Sequence, residues 1–132
     1  MLALLFSFLL FLLGCAPNSL EDYQQEGEAR CRKLIRILEE IQTREDLVRV
    51  EGELKKEFTK IVDLMIQAKS FQQENPEEKE REQAGRQVSE ELKVEMARIY
   101  RIEGAREIIE RAQREPMLRL DAFERQLPKK LH

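Results

Sequence analysis

The chain has 132 residues, with 23 Lys and Arg against 26 Asp and Glu, a net charge of −3 and 6% aromatic residues. That length suits one small domain. The charges are interspersed, with neither a basic patch nor an aromatic platform to track phosphates, which sets nucleic acid aside as a partner. Beyond Cys15 the sequence is rich in Glu, Arg, Lys, Leu, Gln and Ala, and all its charges lie there. These are strong helix formers, so the predicted fold class is all-α.

Leu2 to Leu13 is apolar at every position except Ser7. A run of twelve residues falls short of the about twenty that span a bilayer, and it matches the apolar core of a secretory signal. Gly14 and Cys15 follow, and the sequence turns polar at Asn18. The stretch Leu12-Leu13-Gly14-Cys15 resembles the lipobox of bacterial lipoproteins. The resemblance implies that the Cys15 thiol receives a diacylglyceryl group and that a signal peptidase cuts before it. Cys15 would then be the first mature residue, with its new amino group often acylated as well. Leu12, Leu13 and Gly14 would be the recognition positions. No Lys or Arg precedes Cys15, whereas most such leaders begin with one. Ala16 stands where an Asp retains many of these proteins in the inner membrane, so the resemblance implies the outer membrane, facing the periplasm. Two or three acyl chains, at about 0.8 kcal/mol per buried methylene, suffice for stable anchoring. The competing reading is a signal anchor or an ordinary cleaved signal, with Cys15 incidental.

On this reading residues 1–14 are a signal peptide and 15–19 the lipidated Cys and a short tether. Residues 20–114 form the helical domain, and 115–132 a short amphipathic C-terminal helix and tail. Ser19 with Asp22 reads as the cap of a first helix over about 20–41, whose stripe is Cys31, Leu34, Leu38 and Ile41. Thr43 with Asp46 reads as the cap of a second helix over 44–72. Its stripe is Leu47, Leu54, Phe58, Ile61, Met65 and Ala68. The apolar face changes phase between Ile41 and Leu47, which favours a break, and a single bent helix is the alternative.

Asn75-Pro76-Glu77-Glu78 reads as a capping Asn, a Pro at the first helical position and acids near the positive end of the dipole. It predicts a third helix over 77–114 with the stripe Ala84, Val88, Leu92, Met96, Ile99, Ile102, Ala105, Ile109 and Ala112. Gly85 and Gly104 are expected inside it at about 1 kcal/mol each relative to Ala. A helix so long needs a partner, and the second helix, joined through a short turn, is the expected one. Pro116 is expected to end or restart it, before a short apolar face of Met117, Leu120, Phe123 and Leu127. The expected architecture is therefore a long antiparallel helical hairpin with an additional N-terminal helix, bundle-like, and a short C-terminal helix.

The sequence carries no catalytic set, no cofactor motif and no metal-ligand cluster. Its one His is the terminal His132, where positional control is poorest. Cys31 has two readings: a small buried hydrophobe on its stripe, or the thiol of an intermolecular disulfide outside the cytoplasm. Arg30, Arg32 and Lys33 beside it could lower the pKa of its thiol, but the sequence supplies no catalytic partner for it. The expected function is a non-enzymatic scaffold or adaptor acting through helix faces, by a protein partner or by self-association. Two others remain open: a chaperone-like or cargo-binding module using the helical groove, and an enzyme built on carboxylates alone.

Overall fold

Ser19 is extended, at φ −145° and ψ 160°, and its hydroxyl accepts a hydrogen bond from the Asp22 amide at 3.1 Å. The Asp22 carboxylate in turn accepts from the Asn18 amide at 3.2 Å. Orphan donors at a helix start are satisfied in this way, and α1 (Leu20–Glu39) begins there. Thr43 and Asp46 form a reciprocal capping box, each side chain accepting from the other's backbone amide at 3.1 Å. This cap separates α2 (Arg44–Glu74) from α1, so the two are distinct helices.

The computed structural model describes residues 17–79 and 85–128, which hold four helices and no strand. The third helix expected over 77–114 is instead two. No helix starts at Pro76. Asn75 ends α2, its side-chain amide donating to the Phe71 carbonyl at 2.9 Å. An Asn can serve either end of a helix, and here its side chain joins its own backbone amide, which donates at 3.0 Å, on the Phe71 carbonyl at the end of α2. Glu78 does meet the positive end of a helix, but that of α1, where its carboxylate accepts from the Leu20 amide at 2.9 Å. Helix α3 runs Arg86–Tyr100 behind Gly85 at φ 75°, and α4 runs Ala105–Gln126 behind Gly104 at φ 77°.

Gly104 is thus a turn residue and not a helix residue. Only glycine adopts that left-handed conformation without cost, and a Cβ there would also sit 3.0 Å from the Arg44 Nε. Pro116 neither ends nor restarts a helix: it lies inside α4, fully buried on the stripe of Ile109, Ala112 and Leu120. An interior proline costs roughly 3 kcal/mol, which burial of that stripe outweighs.

Tyr23 meets Phe71, Gly27 faces Leu64, and Lys33 meets Glu57, so α1 and α2 run antiparallel. Four ion pairs, Glu51–Arg111, Lys55–Glu115, Asp63–Arg119 and Lys69–Glu124, rise together along α2 and α4. Those two helices are therefore parallel. Helix α3 lies along α1, from Arg32–Glu91 to Arg98 beneath Leu38 and Ile41, also parallel. Helix α2 packs on α1 and α4, and its backbone does not contact α3. The expected pairing of the second helix with the segment after Pro76 is replaced: α1 separates α2 from α3, and α2 receives α4.

The shared core lies at the end where α1 turns into α2 and α3 into α4. Leu34, Leu38, Ile41, Leu47, Leu54, Ile99, Ile108 and Ile109 are all but fully buried there. Among the described residues, the opposite end of the α1–α2 pair meets the start of α3 along one side and the end of α4 beside Asp63 and Lys69.

Candidate functional site

That opposite end carries an apolar cleft of about 450 Å3 between α1, α2 and the first turn of α3. Tyr23, Ile61, Leu64, Met65, Ala68 and Val88 supply its apolar walls. Gln24, Glu28 and Ser89 supply polar groups at its border. Tyr23 is held against Phe71 by a tilted ring contact with centroids 5.5 Å apart. Gly27 lines the cleft, and a Cβ there would meet Leu64 at an ordinary 3.7 Å. The glycine is thus not required by crowding, and its effect is to leave space. Met65, expected on the buried stripe, is instead 40% exposed and lines the cleft.

Cys31 borders the same cleft and is half-buried. Burial first, and the charge of Glu28 second, push its thiol above the ordinary value of 9.0. The basic neighbours that might have lowered it are engaged elsewhere. Arg30 pairs with Glu26, Arg32 with Glu28 and Glu91, and Lys33 with Glu57. The shift is therefore away from the thiolate.

Among the described residues Glu57 is the one buried charged side chain. Its Oε1 takes Lys33 at 2.9 Å and Lys60 at 3.6 Å, while Oε2 has no hydrogen-bond partner. Burial is the largest influence and opposes ionisation. The Lys33 hydrogen bond and the charges of Lys33, Lys60 and Arg30 together outweigh it, holding the carboxyl below the ordinary glutamate range. Sequence patterning did not single it out, although Leu54, Glu57 and Ile61 share one helix face at spacings of three and four. Two Lys partners and no second buried acid make Glu57 a cross-linking ion pair and not an acid–base couple.

A second groove, of about 560 Å3, runs between α1 and α3 over Ile35 and Val94. Its acids are partly neutralised: Glu90 by Lys93, Glu91 by Arg32 and Glu95 by Arg98. No group of three or more His, Cys, Asp or Glu among the described residues is arranged to hold a metal ion. No described helix is long and apolar enough to cross a membrane.

Leu12, Leu13, Gly14, Cys15 and His132 lie outside the described residues. Of the residues singled out in the sequence, the structure brings Cys31 to the cleft with Ile61, Met65 and Ala68 of the second stripe. No protein-family model, no curated protein and no solved structure matches the chain.

Proposed function

We propose that the chain is a bacterial envelope lipoprotein, anchored through acylated Cys15, whose helical domain acts as a non-enzymatic scaffold or adaptor. One observation carries this reading: Leu12-Leu13-Gly14-Cys15 closes an apolar run too short to span a bilayer. The charge-dense domain opens at Leu20, close behind it. With so short a tether the bundle stands next to the membrane surface, at the outer membrane on the periplasmic side. The bundle-like arrangement belongs to the same reading. The α1–α2 hairpin is flanked by α3 and α4, and the outer faces of the flanking helices are available to a protein partner or a second copy. Leu118 and Val94, 61% and 66% exposed, lie on those outer faces.

The test is intact-mass analysis of the natively processed protein beside its Cys15→Ser variant. A chain that starts at Cys15 and carries diacylglyceryl and acyl mass, both lost in the variant, is the expected result. An unmodified Cys15, or a retained leader, refutes it.

The apolar cleft favours a second reading, a cargo-binding module that uses the groove. Affinity capture of the membrane-extracted protein separates the two. A partner retained by a cleft-filling Gly27→Leu variant supports the scaffold, and a partner released by it supports cargo binding.

A further inference from the structure

The cleft lies beside the point from which the chain leads back to Cys15. Leu20, the first residue of α1, lines it. Pro17 borders the adjoining pocket, and Leu64 borders both. Two peptide units separate Pro17 from Cys15, so their Cα atoms are at most about 7 Å apart. Anything attached to Cys15 is therefore tethered within that distance of Pro17, whose pocket shares Leu64 with the apolar cleft.

The cavity suits a hydrocarbon chain. Its walls are largely aliphatic and aromatic, and Gly27 lines it without a side chain, where an added Cβ would meet Leu64 at 3.7 Å. Its volume of about 450 Å3 falls within the roughly 300–1,000 Å3 of sites that enclose small apolar ligands. Two antiparallel helices make an elongated trough, the shape of a linear chain. Apolar wall atoms in water are stabilised when hydrocarbon covers them.

We propose that the cleft holds one acyl chain borne by Cys15, folding it against α1 and α2 whenever the protein is out of a bilayer. This rests on the lipidation reading above. A bilayer interior is as apolar as the cleft, so the chain is released when a membrane is present and retracted when it is not. The cleft would thus keep part of the anchor from water during transfer between membranes.

The test uses natively processed protein from cells fed a palmitate analogue that carries a diazirine. The protein is irradiated in detergent diluted below its micelle concentration, and cross-linked peptides are mapped by mass spectrometry. The expected result is intramolecular cross-links to Leu64, Met65 and their neighbours, moving to lipid after reconstitution into phosphatidylethanolamine–phosphatidylglycerol vesicles. The Gly27→Leu variant should incorporate the same label and lose cleft cross-links at least about tenfold, as a modest loss of occupancy free energy would produce. Ala68→Leu provides a second blocking variant should Gly27→Leu fail to fold.

Labelled protein whose cross-links lie away from the cleft overturns the inference and leaves lipidation standing. Absence of label from Cys15 removes both. A third arm adds free photoactivatable palmitate, at equal concentration, to unlabelled protein. A yield in the cleft equal to that of the Cys15-borne label identifies a free lipid as the occupant and overturns the inference. A yield at least about tenfold lower supports the tethered chain.

Discussion

Arg98 ties the end of α1 to α3, and removing it should loosen the turn on which the core is built. Its guanidinium donates to the Ile41 carbonyl at 2.7 Å and the Leu38 carbonyl at 2.6 Å, while Nε donates to Glu95 at 3.0 Å. The last carbonyls of a helix lack intrahelical partners, and a cation there is favoured by the dipole as well. Hydrogen bonds from a charged donor contribute roughly 1.5–3 kcal/mol each. The Arg98 side chain is 35% exposed, so water would replace part of what is lost. The low end of the range, discounted for that access, gives about 2 kcal/mol for Arg98→Met. At about 4 °C per kcal/mol for a chain of this size, Tm should fall by roughly 8 °C. Arg98→Lys keeps the charge but replaces the planar fork by a point-like ammonium. It should recover about half, near 1 kcal/mol. Urea unfolding followed by far-ultraviolet circular dichroism measures both, with Arg101→Met, at an exposed neighbour, as control. An Arg98→Met variant within about 0.5 kcal/mol of the parent, the usual scatter of surface changes, would refute the capping argument.

Glu57 should make stability depend on acid. Its folded carboxyl is held below the ordinary 4.5, so the unfolded chain binds the proton more readily. The contribution is complete above that value and is lost as pH falls through the folded value. Glu57→Gln should therefore cost about 1–2 kcal/mol at neutral pH, less than a fully buried pair because both lysines reach solvent. The difference from the parent should shrink in acid, and a pH-independent gap in urea titrations would contradict it.

The glycines should split by conformation. Gly52 has open space around a would-be Cβ, so Gly52→Ala should add up to about 1 kcal/mol. Gly104→Ala meets positive φ and Arg44, and should lose about 1–2 kcal/mol. Thermal melts giving the same sign for both would be evidence against the turn. Cys31, with its thiol raised by burial and by Glu28, should alkylate more slowly at pH 8 in the native protein than in urea. Equal rates would mean that the thiol is free of the cleft.

Capping chemistry was legible along the chain wherever the cap and its helix are contiguous. Ser19 and Thr43 offer short oxygens within three residues of the amides they serve, so both starts, and the break between α1 and α2, follow from neighbours in sequence. The apolar stripes were legible too, because burial of one face imposes a 3.6-residue period. The same period concealed the turn between α3 and α4. Ile99, Ile102, Ala105 and Ile109 stay in phase across Arg101–Gly104, so the pattern runs through a reversal of the chain. Asn75-Pro76 misled for a related reason: an Asn can donate to the helix before it or accept from one after it, and only the Phe71 carbonyl decides.

By itself, the sequence determined the all-helical class, the places where α1 and α2 begin and the faces that turn inward. It did so because propensity, caps and periodicity act over three to seven residues. Tertiary structure alone decided that α4 lies parallel beside α2, that Glu57 sits buried between Lys33 and Lys60, and that Arg98 closes α1 from another helix. It also brought Tyr23 and Met65 together to line one cleft. Apart from the Glu57–Lys60 pair, each of these joins groups more than twenty residues apart. Whether such groups meet depends on how the helices turn back on one another, and for α4 on where Gly104 turns the chain in a left-handed conformation, a fact of backbone geometry that no local pattern of side chains records.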